Sequence, residues 1–422
     1  MKKIIISLLV AGAAIAANAQ DKALLETLVK KGMLTQQEAA QIAKDSVAVS
    51  PATKSTKSIK IFGGANGYYS WNKNSVKAGS IGLNQISGFT LKHVKIGLDA
   101  DVGAGWGAKV VTDFGENAKS RDYLDTVVLS KAIDYDYING TLQLGLRKVN
   151  MGYEQNTDDF EQLAIETSVA TNFFTNGGEI LGKNFGSRTV GVFWDGNIAQ
   201  VDGLYYGAAV TSGVAESGNE DFLSASKGDS SSLSFWANLG YKNVADVKGE
   251  TLSYDFGINF GYAPQGMNND FYTKKGSVWG INPYATLNWR GLTLIGEYFL
   301  QQAEDYTAGR DGVGRTPMGA NFTAAYKMDI GEWGAIEPVF RASYVTTNGM
   351  NIEHRDVTTT GGATYHYSTI NQAMTFYGGV NWYATSAVKT GLGYEFGYYD
   401  QGDAVVERVF GNTVWAQVQV LF

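Results

Sequence analysis

Cysteine is absent from this chain of 422 residues, and histidine occurs only at 93, 354 and 366. The first absence excludes a disulfide scaffold, a thiolate metal site and a cysteine nucleophile. The second leaves little material for a histidine-rich metal centre, and no cofactor is expected. Proline is scarce at 5 residues, and charged residues make up 18% of the chain, below the usual quarter. No stretch beyond the leader is apolar for the roughly 18 residues that a spanning helix needs, so residence in a membrane would have to rely on strands. A formal net charge of −7 gives no electrostatic reason to expect nucleic acid as a partner. What the chain does have is glycine, at 52 residues, and aromatics, at 13%. That is the reverse of a disordered composition.

The first residues, MKKIIISLLVAGAAIAANAQ, join a basic tip (Lys2, Lys3) to an apolar run from Ile4 to Ala17 and then to Ala17-Asn18-Ala19. This is the three-part pattern of a secretory signal with small residues at the cleavage site. The expectation is a signal peptide over 1–19, whose removal takes the formal charge from −7 to −9. DKALLETLVKKGMLTQQEAAQIAKD follows, with Leu24, Leu25, Leu28 and Val29 at helical spacing and a capping box at Thr35–Glu38. After it comes a polar linker, so 20–57 is expected to be a short periplasmic helical segment.

From Ser58 onward apolar and polar residues alternate with period two, in runs of about ten between Gly, Asn, Asp and Ser clusters. In the last run Val414, Ala416, Val418, Val420 and Phe422 share one face, and Gln417 and Gln419 share the other. Sixteen runs begin near residues 58, 88, 104, 123, 139, 187, 201, 232, 250, 278, 291, 316, 335, 370, 387 and 411. A soluble sandwich or β-helix array also alternates. The leader, the aromatic pairs near strand ends (Tyr68-Tyr69, Tyr205-Tyr206, Trp382-Tyr383, Tyr398-Tyr399) and the terminal aromatic favour a membrane barrel. Hydrocarbon tolerates no unpaired sheet edge, so such a sheet must close. The expected fold is all-β, a transmembrane antiparallel β-barrel of about 16 strands over 58–422, and that many strands leave an aqueous channel.

Several stretches, taken in order along the chain, resemble a known family. They are LLETLVKKGMLTQQEA, LQLGLRKVNMGYEQ, FEQLAIETSVATNFF, GSRTVGVFWDG, GLYYGAAVTSG, LTLIGEYFLQQAE and YGGVNWYATSAVKTGLGYEFGYY. Together they resemble the phosphate-selective porin O and P family of trimeric outer-membrane barrels. The resemblance implies sixteen strands, a homotrimer among outer-membrane lipid, and passive diffusion past a constriction made by the third extracellular loop. By analogy that loop falls near 150–186, where the alternation lapses.

The family's anion selectivity implies a ladder of Arg and a group of Lys in the pore, and this chain departs from that pattern. Its candidate loop holds Glu154, Asp158, Asp159, Glu161, Glu166 and Glu179 against Lys183, with Arg188 just beyond. The alternation puts Lys95, Lys109, Arg147 and Arg341 on the lumen face with Asp99, Asp101, Asp113, Glu297, Glu337 and Glu395. Such a mixed, slightly acidic lining suits a general channel for small hydrophilic solutes and ions with a mild cation preference. His93 lies beside Lys95, but no Ser-His-acid set follows from the spacing and no catalytic residue is expected. The rival reading is an outer-membrane anchoring or adhesion scaffold with a blocked barrel.

Overall fold

A computed structural model describes residues 58–76, 85–115, 123–135, 137–176, 185–186, 188–212, 233–264, 277–303, 316–346, 355–358, 364–367, 370–403 and 406–422. The expected signal peptide and helical segment, together with Glu179, Lys183 and His354, lie outside the described residues.

Sixteen long strands form the wall: β1 (Ser58–Val76), β2 (Gln85–Gly103), β3 (Trp106–Asp113), β4 (Leu124–Asp134), β5 (Ile138–Lys148), β6 (Arg188–Ile198), β7 (Leu204–Ser212), β8 (Leu233–Val247), β9 (Glu250–Ala263), β10 (Val278–Trp289), β11 (Leu292–Ala303), β12 (Met318–Tyr326), β13 (Ala335–Thr346), β14 (Ile370–Tyr383), β15 (Val388–Asp403) and β16 (Val406–Leu421). Each pairs antiparallel with the next, and β1 pairs with both β2 and β16, so the sheet closes on itself. Reciprocal hydrogen bonds between Gly63 and Phe422, at 3.0 and 3.1 Å, finish the seam. A two-residue bridge, Met328–Asp329, prolongs β12, and Arg355–Thr358 pairs with Thr364–Tyr367 as a separate ladder. All sixteen runs of alternation correspond to strands. The largest offset is at β16, which starts at 406 because its outer end lacks a clean alternation.

The connections differ at the two ends of the barrel. At one end two-residue turns join strands: Ala104-Gly105, Lys248-Gly249 and Arg290-Gly291, all at positive φ (51 and 76°, 57 and 79°, 49 and 81°). Two successive left-handed residues give the turn whose twist matches a hairpin, and glycine takes the second position without steric cost. At the other end the connections are mostly long, and the stretch between β5 and β6 spans 149–187.

The polarity is inside out. In β16 Val418 is 55% exposed, whereas Gln417 and Gln419 keep 6% and 3% of their surface. Leu392, Leu144, Leu239 and Phe256 likewise face outward, while Asn282, Arg341 and Gln301 are buried within. A closed sheet whose apolar residues face out presents a surface suited to hydrocarbon and encloses a polar lumen. Among the described residues no helix is long and apolar enough to cross a membrane.

Three of the aromatic doublets show one ring turned inward or one turned outward. Tyr68 packs against an inner apolar cluster, and Tyr205 and Tyr383 hydrogen-bond the lumen residues Asp255 and Glu337. Tyr69 and Trp382 are exposed on the outside. Successive strand residues point to opposite faces, so a doublet can give only one ring to each side.

Candidate functional site: the lumen and its inward segment

The stretch after β5 contains two short helices, α1 (Tyr153–Asn156) and α2 (Val169–Thr171), and a π-turn over Asn172–Asn176. The Ser168 hydroxyl caps α2 by accepting from Thr171 N. The stretch lies against the inner wall. Val149, Met151, Ala170, Phe174 and Phe185 form one dry cluster with Trp236, Ala263, Val278, Phe299, Val345 and Ala373 of β8–β11, β13 and β14. The Phe174 and Phe299 rings stack at 5.0 Å, 5° from parallel. A second cluster seats Ala164 and Ile165 against Val339, Tyr377 and Trp415. These inner-face apolar residues interrupt the polar-inside rule because protein, and not water, lies against them.

Buried polar contacts complete the docking. The Arg341 guanidinium, 1% exposed, donates to Glu154 at 2.9 Å, to Glu395 at 2.9 Å and to the Glu166 carbonyl, and sits over the Tyr377 ring at 5.4 Å. Glu297 accepts from the N–H groups of Tyr153 (2.8 Å) and Glu154 (3.3 Å), from Thr171 Oγ1 (3.1 Å), and from the amides of Asn282 (3.1 Å) and Asn321 (2.7 Å). Five donors therefore converge on the two oxygens of one side chain. The α1 amides thus fasten the segment to β11. Lys389 donates to the carbonyls of Phe160 (3.2 Å) and Gln162 (3.0 Å), Gln419 donates to Phe160 (2.9 Å), and Asn381 donates to Leu163 (2.9 Å).

A charged cluster lies on the β2–β6 side. Asp159 pairs with Lys95, lies 3.4 Å from Lys148 Nζ and 4.0 Å from His93 Nε2. Asp125 pairs with Arg188 and with Lys95 at 3.1 Å. His93 Nδ1 is 2.6 Å from Asp113, and Lys92 is 2.6 Å from Glu166. Burial alone would push the Asp159 carboxyl up; the charges of Lys148 and Lys95, with His93, outweigh it and hold the group far below the ordinary carboxylate range.

The structure therefore brings together Lys95, Asp113, Asp159 and Glu166 in this cluster, and Glu154, Glu297, Arg341 and Glu395 in the neighbouring one. Arg147 pairs with Asp195 and Gln143 and lies 3.2 Å from Asn150 Oδ1. Glu337 accepts from Tyr383 (2.6 Å) and Asn381 (3.3 Å). Lys109 lies over the Phe62 ring at 5.3 Å, toward the short-turn end, with Asp99 opposite it in register. Asp158 and Glu161 are exposed on the segment, and the Asp158 carboxylate caps its own turn through Phe160 N at 2.8 Å.

Alternation alone does not find Lys92, Asp125, Lys148, Asn321 or Lys389. The first two are the extra residues of bulges, where the β1–β2 register slips at Asn66/Gly67 and the β3–β4 register slips at Val111/Thr112. A bulge adds a residue on one strand and re-aims it, and here both additions bring charge into the lumen. Lys148 ends β5 one position out of step with the lumen residues Gln143 and Arg147, and Lys389, although in step with Glu395, stands at the start of β15. Asn321 carries no charge to draw attention, yet it bonds both Glu154 (3.1 Å) and Glu297 (2.7 Å).

A closed sixteen-stranded antiparallel barrel, apolar outside and polar within, with a long segment laid against its inner wall, has the architecture of an outer-membrane porin. Solved structures agree on the fold. The outer membrane channel DcaP of Acinetobacter baumannii superposes over 89% of this chain and 100% of its own, with a TM-score of 0.55 at 11% identity. Pseudomonas putida OprB does so over 86% and 94%, with a TM-score of 0.52 at 12% identity. No protein-family model and no curated protein sequence matches the chain.

Proposed function

We propose that this protein is an outer-membrane porin through which small hydrophilic solutes and ions diffuse passively. The observation that carries the reading is the inversion of polarity across a closed wall: apolar side chains face out and charged and amide side chains face in. Water can occupy such a lumen, and hydrocarbon can surround it. That DcaP, which shares the fold, is an outer membrane channel supports the reading. The 149–187 segment acts as the constriction, and the long connections face outside the cell with the short turns in the periplasm. Residues 1–19 are the signal peptide, and 20–57 are a periplasmic helical segment entering at the short-turn end.

The pore is not a phosphate filter. Around Asp159 the cations Lys92, Lys95, Lys148 and Arg188 meet the anions Asp113, Asp125, Asp159 and Glu166. Among the described residues, charges paired in this way form no ladder of free cations to draw an anion through. Selectivity is weak, with a mild cation preference, and membership of the phosphate-selective O and P family rests on the sequence resemblance. That resemblance also supports a homotrimer.

The test is reconstitution into a planar bilayer. Stepwise conductance increments in KCl are expected, with a reversal potential in a salt gradient close to zero and on the cation side. Strong anion preference would overturn the selectivity, and a silent bilayer would overturn the channel in favour of an anchoring scaffold.

A further inference from the structure

Four wall positions on neighbouring strands stand level with one another below the inward segment. Tyr205 of β7 faces Gly240 of β8, Gly240 faces Gly257 of β9, and Gly257 faces Tyr284 of β10. The two tyrosines lean toward each other across the paired glycines. A Cβ on Gly240 would meet Tyr205 Cζ at 2.2 Å, and one on Gly257 would meet Tyr284 Cζ at 2.5 Å. Each ring therefore lies across bare backbone, which only glycine allows. The hydroxyls touch in the middle, and Tyr205 also donates to Asp255 at 2.6 Å. The ring of Tyr153, from the inward segment, extends the surface at 4.9 Å from Tyr284. Lys242, opposite Asp255 in register, brings its ammonium to 5.7 Å from the Tyr205 ring. Tyr153, Tyr205, Asp255 and Tyr284 are half-buried and Lys242 is exposed, so each keeps part of its surface open.

The arrangement does more than pack the wall. Rings pinned against the backbone by a hydroxyl–hydroxyl–carboxylate chain cannot swing out to obstruct the lumen, and they turn one apolar face toward it. A carboxylate acceptor and an ammonium donor stand at the edge of that surface. The facing charges cancel, which disfavours an anionic or a cationic ligand. A neutral ring with one C–H face and hydroxyls around its rim satisfies both parts of the surface.

We propose that the Tyr205–Tyr284–Tyr153 surface, with Asp255 and Lys242, is a binding subsite for the pyranose rings of short neutral oligosaccharides. This rests on the porin reading above and gives that pore a solute class. Maltotriose added to single channels in KCl should interrupt the current in a concentration-dependent way. A poly(ethylene glycol) of equal length, which has no ring face, should not. Tyr205→Ala combined with Tyr284→Ala should weaken the maltotriose effect about tenfold, and Tyr205→Phe, which keeps the ring, should retain most of it. Should the double variant fail to insert, Asp255→Asn carries the test with an expected weakening of about threefold. Interruption no stronger than that by poly(ethylene glycol), or a Tyr205→Ala/Tyr284→Ala double variant (or Asp255→Asn in its place) that matches the parent protein, would overturn the subsite and leave the channel standing. A protein that conducts no KCl current would overturn both.

Discussion

The inward segment is held in two different ways along its length, and the contrast separates what anchors it from what charges it. Around Phe174 the contact is dry: Met151, Ala170 and Phe174 press on Phe299, Val278 and Val345. Around Asp159 it is ionic, with Lys95, Lys148 and His93 gathered on one carboxylate. Apolar burial depends little on pH or salt, so the first region fixes the segment under any conditions the cell meets. Ion pairs respond to both, so the second is where pH and salt can act on the segment. Arg341 stands between them, tying Glu154 and Glu395 together.

Arg341→Ala should produce the largest effect, because it removes a buried guanidinium and strips the counter-charge from two half-buried carboxylates at once. A loss of about 3–5 kcal/mol is expected, read from urea unfolding in lipid vesicles, and conductance should rise as the segment loosens. A slightly smaller loss, about 3 kcal/mol, should follow Phe174→Ala through the cavity it leaves. That loss should be the same at low and high salt; salt dependence would show that the apolar end is not independent of the ionic one. Asp159→Asn sharpens the other side of the comparison. With the folded carboxyl held below the ordinary value, its contribution is complete above about pH 4 and is lost only as pH falls through the depressed folded value. The parent segment should therefore stay docked through mild acid. The variant should lose about 1–3 kcal/mol at neutral pH and shift its reversal potential toward anions, and an unchanged potential would show that Asp159 lies away from the ion path. The smallest change should come from Arg290→Ala. This exposed turn residue lies 3.4 Å from Glu250, and its stability should stay within about 0.5 kcal/mol of the parent.

The wall was far more legible in the sequence than the segment inside it. Every strand shows in a pattern of nearest neighbours, and faces could be assigned residue by residue, as with Gln417 and Gln419 against Val418 and Val420. Candidate charges such as Lys95, Glu297 and Arg341 follow from the same pattern. Their partners do not. Lys92 and Asp125 break period two through bulges, and Trp415 shares the lumen face with the glutamines because Ile165 comes to cover it.

What the sequence determined by itself was a period: two residues per repeat, sixteen times over, with apolar and polar faces separated. That period belongs to the extended backbone, whose successive side chains must point opposite ways, and it needs no distant contact to be expressed. Only the tertiary structure decided which charges meet. Arg341 and Glu154 stand 187 residues apart, and they become neighbours when the sheet closes and the segment after β5 lies across its interior. Closure and docking depend on the whole ring of strands at once, which no local pattern encodes.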